Sequence, residues 1–425
     1  MSRGVCTTQP FAVERYSQEQ KINRLLIISY YWPPLGGPGS LRPAKFAKYL
    51  PRFGIEPIIL TRKQIAYHSY DEDLEKDIRD FRVIRTESLD PARVLYRLGM
   101  RQYNVSKWHS PIKQTMNFPD NKIPWAPFAY SAGMTIDFDC IFVTAPPFSS
   151  FIGGYYLAKR TGKPLIADFR DAWLEFPFMP YKGRMQKAFV RYWEQKIVRN
   201  SDTIAVVDDN IKRTLVDRYP WASRKIHIIP NGYDPDDFVA IRHPEVFTMA
   251  YLGTIRGERD PQNLLDATES FMDKNSIRAD ECRMKFIGHV EPKFLNQINK
   301  YGFSVTTGHL PYQKAIAEFC ASHLAVLITT GSKYFFPSRQ NEYLASGLQI
   351  IVCGKSEGIH FLQDAFKRGY PGWIFDYTDV EGIRKKITEI YRKYRRGITI
   401  RSKMPYVEYT REKLTRRLAE LVKGI

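Results

Sequence analysis

Short runs of consecutive apolar residues alternate along the first half of the chain with stretches in which apolar residues recur every three or four positions. The runs lie at residues 24–29, 57–61, 140–144, 164–168, 203–207 and 225–229. Unbroken apolar runs of this length predict strands that are buried on both faces of a parallel sheet. Helical spacing at residues 41–50, 151–160 and 184–199 predicts the crossover helices. The alternation predicts a doubly wound α/β domain.

The same pattern restarts after a polar, proline-containing linker at residues 234–243. Further apolar runs lie at residues 247–252, 283–287, 325–328, 349–352 and 372–375, and two charged amphipathic helices are predicted at residues 381–396 and 406–425. We therefore predict two facing Rossmann-like domains with a cleft between them, where ligands bind beyond the carboxyl ends of the strands. The expected divisions are an N-terminal arm at 1–22, domains at 23–238 and 239–402, and a C-terminal helical segment at 403–425 that packs back on the first domain.

Composition adds charge to this picture. The 425 residues include 64 Lys and Arg against 45 Asp and Glu, a net charge of +19, and the excess is spread over both halves. Such a field favours nucleic acid, anionic lipid headgroups or phosphorylated small molecules as partners, although a merely basic surface is an equal alternative. The chain has no apolar run of eighteen residues and no apolar N-terminal leader, so we expect a cytoplasmic protein. Five scattered cysteines predict neither a disulfide nor zinc.

A glycine- and proline-rich loop, YYWPPLGGPGS, joins the first predicted strand to the first helix. Glycines 36, 37 and 39 let the backbone turn with positive φ and let its amides approach a ligand, while the helix that follows offers unpaired N–H groups. The loop therefore suits a phosphate. The competing interpretation is a tight turn stiffened by its prolines, and the spacing matches neither the dinucleotide fingerprint nor the P-loop.

Charged residues follow three other predicted strands. In ADFRDAWLEFP, two aspartates, an arginine and a tryptophan stand at a strand end, where a purely structural ion pair is the alternative. In YLGTIRGERDP, Arg256 and Arg259 can clamp a diphosphate. In FFPSRQNEYLASG, Ser338 is a candidate N-cap, Arg339 lies in the first turn, and Glu342 can accept hydrogen bonds from ribose hydroxyls or simply cap its helix.

These stretches, with FPDNKIPWAPFA, IFVTAPPFSS and IIPNGYDPDDF, resemble in order the blocks of the family 4 retaining glycosyltransferases of the GT-B fold, over roughly residues 25–421. The resemblance implies that a sugar passes from a nucleotide-sugar, such as a UDP- or GDP-sugar, to an acceptor hydroxyl with retention and without a metal or other cofactor. It places the donor in the second domain and the acceptor beside the first. The donor site it implies comprises Gly36, Gly37, Arg256, Arg259, Leu310, Ser338, Arg339 and Glu342.

Two departures from the family pattern concern the chemistry. Tyr334 stands where the family commonly has a second glutamate, and Arg170-Asp171 replaces a His-Asp pair. Asp171 and Arg170 are therefore the catalytic candidates, with Asp168 and Trp173 on the acceptor side. The DxD triplet at residues 137–139 precedes a strand instead of ending one, so we do not interpret it as a manganese site.

The sequence leaves open which molecules the protein binds besides the nucleotide-sugar. The basic amphipathic stretch at residues 181–199 carries Met185, Phe189, Trp193 and Ile197 on one stripe, which suits either a domain core or an anionic membrane surface on the inner face of the membrane. The acceptor is a glycan, a lipid-linked molecule or a small molecule. A nucleic-acid-binding protein or a Rossmann dehydrogenase is the alternative class, but the chain lacks a basic–aromatic module and the dinucleotide fingerprint.

Overall fold

The chain folds into two parallel sheets, each covered by helices on both faces. The computed structural model describes residues 22–67, 70–76, 78–101, 119–176, 181, 183–238, 244–329, 339–398, 401–402 and 407–425. The expected α/β fold class, with two Rossmann-like units, is confirmed.

The first sheet has seven strands in the order β3-β2-β1-β4-β5-β6-β7. The strands are β1 (Arg24–Ile28), β2 (Glu56–Arg62), β3 (Arg82–Thr86), β4 (Cys140–Ala145), β5 (Leu165–Phe169), β6 (Thr203–Val206) and β7 (Ile226–Ile228). Its helices are α1 (Pro38–Tyr49), α2 (Asp73–Lys76), α3 (Pro91–Arg97), α4 (Ala126–Gly133), α5 (Ser149–Thr161), α6 (Arg184–Asn200) and α7 (Asp209–Arg218). The central strands β4 and β5 are buried along their whole length, as their unbroken apolar runs predict.

The second sheet has six strands in the order β10-β9-β8-β11-β12-β13. The strands are β8 (Phe247–Leu252), β9 (Cys282–Ile287), β10 (Ser304–Thr306), β11 (Leu324–Ile328), β12 (Gln349–Cys353) and β13 (Gly372–Phe375). Its helices are α8 (Gln262–Lys274), α9 (Pro292–Ile298), α10 (Tyr312–Cys320), α11 (Gln340–Ala345), α12 (His360–Lys367) and α13 (Val380–Arg395). In both sheets every strand pair is parallel, so all strands of a sheet end at one edge.

The last helix, α14 (Arg411–Lys423), leaves the second sheet and packs on the first. Its buried residues Leu414, Leu418 and Val422 lie in the same apolar cluster as β1 and α1. The helix begins where the backbone of Thr410 forms a bridge with Tyr233, just after the first sheet. The chain therefore crosses between the two domains twice.

Among the described residues, no helix combines the length and the apolar character that a membrane crossing needs. Cys140, Cys282, Cys320 and Cys353 are buried free thiols, while Cys6 lies outside the described residues. Burial raises the pKa of Cys140 to about 12, so this thiol is held in its neutral form.

Candidate functional site

The glycine-rich loop ends at the carboxyl edge of the first sheet, where helix α1 begins. Gly37 has φ of 93°, and a β-carbon built on it would meet nothing within 4 Å, so the space in front of this residue is open. Gly37 is also the N-cap of α1, and neither a capping side chain nor an acidic residue occupies the first turn. Gly36, beside it, is buried. Within the first turn, no anionic side chain offsets the positive end of the helix dipole.

Arg170, which we predicted as a catalytic candidate, holds this loop in place. Its guanidinium donates to the carbonyl oxygens of Ala145 (3.1 Å), Gly39 (2.7 Å) and Pro146. These bonds connect the end of β4 with the first turn of α1. The donors of Arg170 are directed at backbone oxygens, so the residue positions the glycine loop. Its role in catalysis stays a prediction.

Asp168 is fully buried, and its carboxylate is occupied by neighbours. Arg42 of α1 donates to both carboxylate oxygens, at 3.0 and 2.7 Å, and the Thr144 hydroxyl donates at 2.7 Å. The same arginine also donates to the carbonyl of Pro230 at 3.0 Å. The carboxylate has no exposed face and forms its contacts within the fold. The acceptor-side role that we expected for Asp168 stays a prediction. The sequence analysis missed Arg42.

Trp173 is likewise a core residue. Its ring stacks on Phe148 with the centroids 5.0 Å apart, and its indole N–H donates to the hydroxyl of Tyr181 at 3.2 Å. The side chain is fully buried, and the acceptor-side role that we expected for Trp173 stays a prediction. Aromatic stacking at this point fixes the loop that carries Asp171.

Asp171 is the one charged residue of this strand end that is half-buried and has no hydrogen-bond partner among the described residues. Phe169 of β5 pairs with Val206 of β6 in the parallel register. Asp171 and Asp208 each lie two residues further along the chain, so they lie side by side at the ends of these strands. Burial raises the pKa of Asp171 to about 7, with a further contribution from Asp208 and opposition from Arg170. Burial also raises the pKa of Asp208 to about 6.

Asp208 was not predicted, although a signal was present in VVDDN, where two aspartates follow a predicted strand. In the structure Asp208 is the N-cap of α7, and its carboxylate accepts from the backbone of Ile211 at 2.8 Å. Two carboxyl groups at the carboxyl ends of adjacent strands, both with raised pKa, form a site that can exchange a proton near neutral pH.

The two arginines predicted for the donor lie on the loop that leaves β8. Arg259 donates to the carbonyl of Thr254 at 2.6 Å and approaches the hydroxyl of Tyr251 at 3.4 Å, so the guanidinium is anchored against the strand end. Arg256 is exposed. Partial burial of its guanidinium and the nearby charge of Arg259 both lower the pKa of Arg256. Two neighbouring guanidiniums that repel each other favour an anion between them.

Arg339 and Glu342 lie at the start of α11, after β11. The Arg339 guanidinium is 3.5 Å from a carboxylate oxygen of Glu342 and lies over the ring of Tyr312. Glu342 is only 2% exposed, and its Oε2 has no hydrogen-bond partner within the described part of the chain. Leu310 follows β10 at the same edge of the sheet and is half-buried against the core of the second domain. Ser338 and Tyr334 lie outside the described residues.

The two carboxyl edges meet through the segment that follows β2, at residues 70–76. The backbone N–H of Asp71 donates to the carbonyl of Pro34 at 2.7 Å, and the Asp71 carboxylate accepts from the backbone of Tyr312 at 2.7 Å. Leu41 and Leu74 of the first domain belong to the apolar cluster of the second. The structure therefore brings the glycine loop to the edge that carries Leu310, Arg339 and Glu342.

The DxD triplet lies at the opposite edge of the first sheet. Asp137 and Asp139 both form ion pairs with Arg24 at the amino end of β1. Within the described part of the chain, no three His, Cys, Asp or Glu residues are grouped closely enough to hold a metal ion.

Comparison with known proteins agrees with this architecture. Residues 44–237 match the family model described as Glycosyltransferase Family 4. No curated protein sequence matches the chain.

Among solved structures, the sucrose-phosphate synthase of Thermosynechococcus elongatus superposes with a TM-score of 0.63 at 13% identity, covering 95% of this chain and 98% of that one. HepE of Anabaena in complex with UDP-glucose gives 0.62 at 12% identity, over 95% and 100% of the two chains. A glycosyltransferase of Rickettsia africae gives 0.62 at 13% identity, over 95% and 98%. The expected GT-B fold and family resemblance are confirmed: the chain carries a Glycosyltransferase Family 4 domain at residues 44–237, within a two-domain GT-B fold, and is a glycosyltransferase.

Proposed function

We propose that the chain transfers a sugar from a UDP- or GDP-sugar to a hydroxyl of a glycan or lipid-linked acceptor, with retention of configuration and without a metal ion. One observation carries the proposal: Arg256 and Arg259 adjoin each other at the exit of β8, in the domain whose edge contacts the glycine loop. HepE, which has the same fold, has been solved with UDP and glucose and with UDP-glucose.

The chain's own groups supply positive charge for the leaving diphosphate. As the bond between sugar and phosphate breaks, negative charge develops on the nucleoside diphosphate, and fixed cations stabilise this charge most strongly when water is excluded. Arg256 and Arg259 supply two such cations, and the uncapped N-terminus of α1 supplies a third positive region. In this mechanism the arginines take the place that a divalent cation holds in metal-dependent transferases.

Asp171 is the residue we assign to proton transfer. With a pKa of about 7, its carboxyl is partly deprotonated at neutral pH and can accept the proton of an acceptor hydroxyl. Asp208, at the neighbouring strand end, stabilises the protonated form of Asp171 by charge repulsion. We expect kcat/KM to rise with pH through about 7 and the rise to disappear in the Asp171→Asn variant.

The donor site is tested by nucleotide binding. UDP and GDP are titrated calorimetrically into the wild-type chain, Glu342→Ala, Arg259→Ala, and the control Arg278→Ala, whose side chain is exposed in the second domain. We expect Glu342→Ala and Arg259→Ala each to weaken binding by about tenfold or more, because each removes a charge-assisted hydrogen bond. Unchanged affinity in both variants contradicts the assignment of the site.

Turnover in the presence of EDTA and the anomeric configuration of the product, read by NMR, test the remaining parts of the proposal. Full activity with EDTA and a product of the donor's own configuration are the expected results. Strict dependence on manganese contradicts the metal-free mechanism, and an inverted product contradicts retention.

We also propose that the outer face of α6 contacts an anionic membrane surface, where a lipid-linked acceptor is presented. The predicted apolar stripe divides in the structure: Trp193 and Ile197 are buried, whereas Met185 is 88% exposed and Phe189 is also exposed. Exposed tyrosines, Tyr156 and Tyr192, adjoin Trp193.

The charges on α6 support this proposal. Its exposed basic residues are Arg184, Lys187, Arg191 and Arg199. Its one acidic residue, Glu194, is fully buried and paired with Arg218, so no negative side chain of α6 reaches solvent. Basic side chains beside exposed apolar ones suit an anionic headgroup region.

Sedimentation with vesicles tests the membrane contact. The wild-type chain should sediment with phosphatidylglycerol vesicles and not with phosphatidylcholine vesicles, and 0.5 M salt should release it. The double variant Met185→Ser, Phe189→Ser should bind several-fold less, while Met134→Ser, at an exposed methionine elsewhere in the same domain, should bind like wild type. Equal binding of all three proteins contradicts the proposal.

A further inference from the structure

Arg411, the first residue of the C-terminal helix α14, has a buried side chain with an unpaired nitrogen. The residue is 4% exposed, and its buried Nη1 makes no hydrogen bond to any described residue. Among the described residues, no carboxylate lies within ion-pair distance of its guanidinium. A buried guanidinium that makes no such contact carries a desolvation penalty that other interactions have to offset.

The carboxylate of Glu342 is in a matching state. Among the residues that the structure describes, its buried Oε2 has no partner, and Oε1 makes only long contacts, 3.4 Å to the hydroxyl of Tyr312 and 3.5 Å to Arg339. The side-chain oxygen of Asn341, the preceding residue, is also buried and unpaired. Unsatisfied acceptors are therefore concentrated at the first turn of α11.

Arg411 and the residue before Glu342, Asn341, are both hydrogen-bonded to the same short segment, residues 231–233. The backbone N–H of Arg411 donates to the carbonyl of Tyr233 at 2.8 Å, and the side-chain amide of Asn341 donates to the carbonyl of Asn231 at 2.5 Å. A β-carbon on Gly232 would lie 2.3 Å from the Tyr409 carbonyl oxygen and 2.5 Å from the Leu414 side chain, so α14 is packed tightly on this segment. The starts of α11 and α14 are thereby held side by side.

The electrostatic environment agrees with this placement. Burial lowers the pKa of Arg411, the nearby Glu342 carboxylate opposes that change, and the Arg42 guanidinium adds to it. Glu342 is thus close enough to act on Arg411 without forming a direct ion pair with it, and Asp237 acts in the same direction. A group placed between Arg411 and Glu342 must accept from a guanidinium and donate to a carboxylate. A hydroxyl does both.

We propose that Arg411 and Glu342 together bind the ribose hydroxyls of the donor nucleotide, so that the C-terminal helix, packed on the first domain, completes the donor site of the second. The inference rests on the proposed function and adds a residue to that same site. In it, Glu342 accepts from a ribose hydroxyl, and the guanidinium of Arg411 donates to the oxygen of the same hydroxyl or of its vicinal neighbour.

The test uses the full chain and three probes, UDP, 2′-deoxy-UDP and 3′-deoxy-UDP, with the guanosine set in their place if wild type prefers GDP. Affinities are measured for wild type, Arg411→Met, Arg411→Lys and the control Arg417→Met, an exposed arginine on the same helix. Thermal unfolding of each variant establishes that it is folded, and Arg411→Lys serves if Arg411→Met does not fold.

We expect Arg411→Met to bind UDP about tenfold more weakly and to bind one of the deoxy nucleotides like wild type, because the hydroxyl it contacts is already missing there. Arg411→Lys should recover part of the loss, and Arg417→Met should match wild type.

An equal loss for UDP and both deoxy nucleotides overturns the inference, since it is what a purely structural or water-bridged Arg411 produces. Unchanged UDP binding in Arg411→Met and in Arg411→Lys overturns it too. If wild type binds neither UDP nor GDP, the proposed function itself fails, and that result is distinct from the two above.

Discussion

At the scale of single residues, burial sets the protonation of Asp171. The ordinary pKa of an aspartate is 3.8, and the folded chain raises that of Asp171 to about 7, mainly through burial and further through Asp208. Between these two pH values the folded state holds a proton that the unfolded state has released. The contribution of Asp171 to stability is therefore present below about pH 4 and is lost as the pH rises through about 7.

The Asp171→Asn variant should remove this dependence. We expect its melting temperature to exceed that of wild type by at least about 2 °C at pH 8 and to differ little at pH 4, because asparagine stays neutral throughout. Thermal unfolding followed by circular dichroism at both pH values measures the difference. Asp209→Asn, at a side chain that is 42% exposed in the first turn of α7, is the control. An equal shift at both pH values would speak against a raised pKa.

Residue roles were the part of the site that sequence alone predicted least well. The strand end ADFRDAW was predicted to be functional, yet Asp168 is bound by Arg42 and Trp173 stacks on Phe148. The sequence cannot distinguish these cases, because Arg42 lies 126 residues from Asp168 along the chain. Arg411 was missed for the same reason: its neighbourhood with Glu342 exists only once α14 has crossed to the first domain.

At the scale of secondary-structure elements, the strands show why the pattern worked and where it failed. Nearly every predicted apolar run coincides with a strand to within one residue, because central strands must be apolar on both faces. The two strands that were not predicted, β3 and β10, are the edge strands of their sheets. Each has only one neighbour, so the sequences RVIRT and SVT can remain partly polar, and no apolar run identifies them.

The connection between β1 and α1 depends on a clamp from a third element, the loop after β5. Arg170→Met removes the hydrogen bonds to Ala145, Pro146 and Gly39, so we expect faster amide hydrogen exchange in residues 30–40 and several-fold weaker UDP binding. Hydrogen exchange with mass spectrometry measures the first effect and calorimetry the second. Arg213→Met, at an exposed arginine of α7, is the matched control. If Arg170→Met loses turnover while its amide hydrogen exchange is unchanged, Arg170 takes part directly in catalysis.

At the scale of the whole molecule, α14 makes the first domain depend on the end of the chain. Leu414 is fully buried in the cluster that contains Leu25 and Phe46, so Leu414→Ala should destabilise the first domain by about 2–5 kcal/mol. Leu362→Ala, a fully buried leucine in the cluster of the second domain, is the matched control.

Hydrogen exchange resolved by peptide distinguishes the two variants. Leu414→Ala should increase exchange in β1 and α1, and Leu362→Ala should increase it in β12 and α12. If both variants loosen both domains equally, the two apolar cores unfold as a single unit and the first domain has no separate dependence on α14.

The double crossing also limits how the molecule can move. Two covalent connections, one after β7 and one before α14, run side by side where Tyr233 pairs with Thr410. A body held to another at a single point can swivel in any direction, whereas two adjacent points of attachment define a line about which rotation is easy and across which it is resisted. Release of the nucleotide product from between the two domains should therefore proceed by a hinge rotation about that line. A twist of one domain over the other should be resisted.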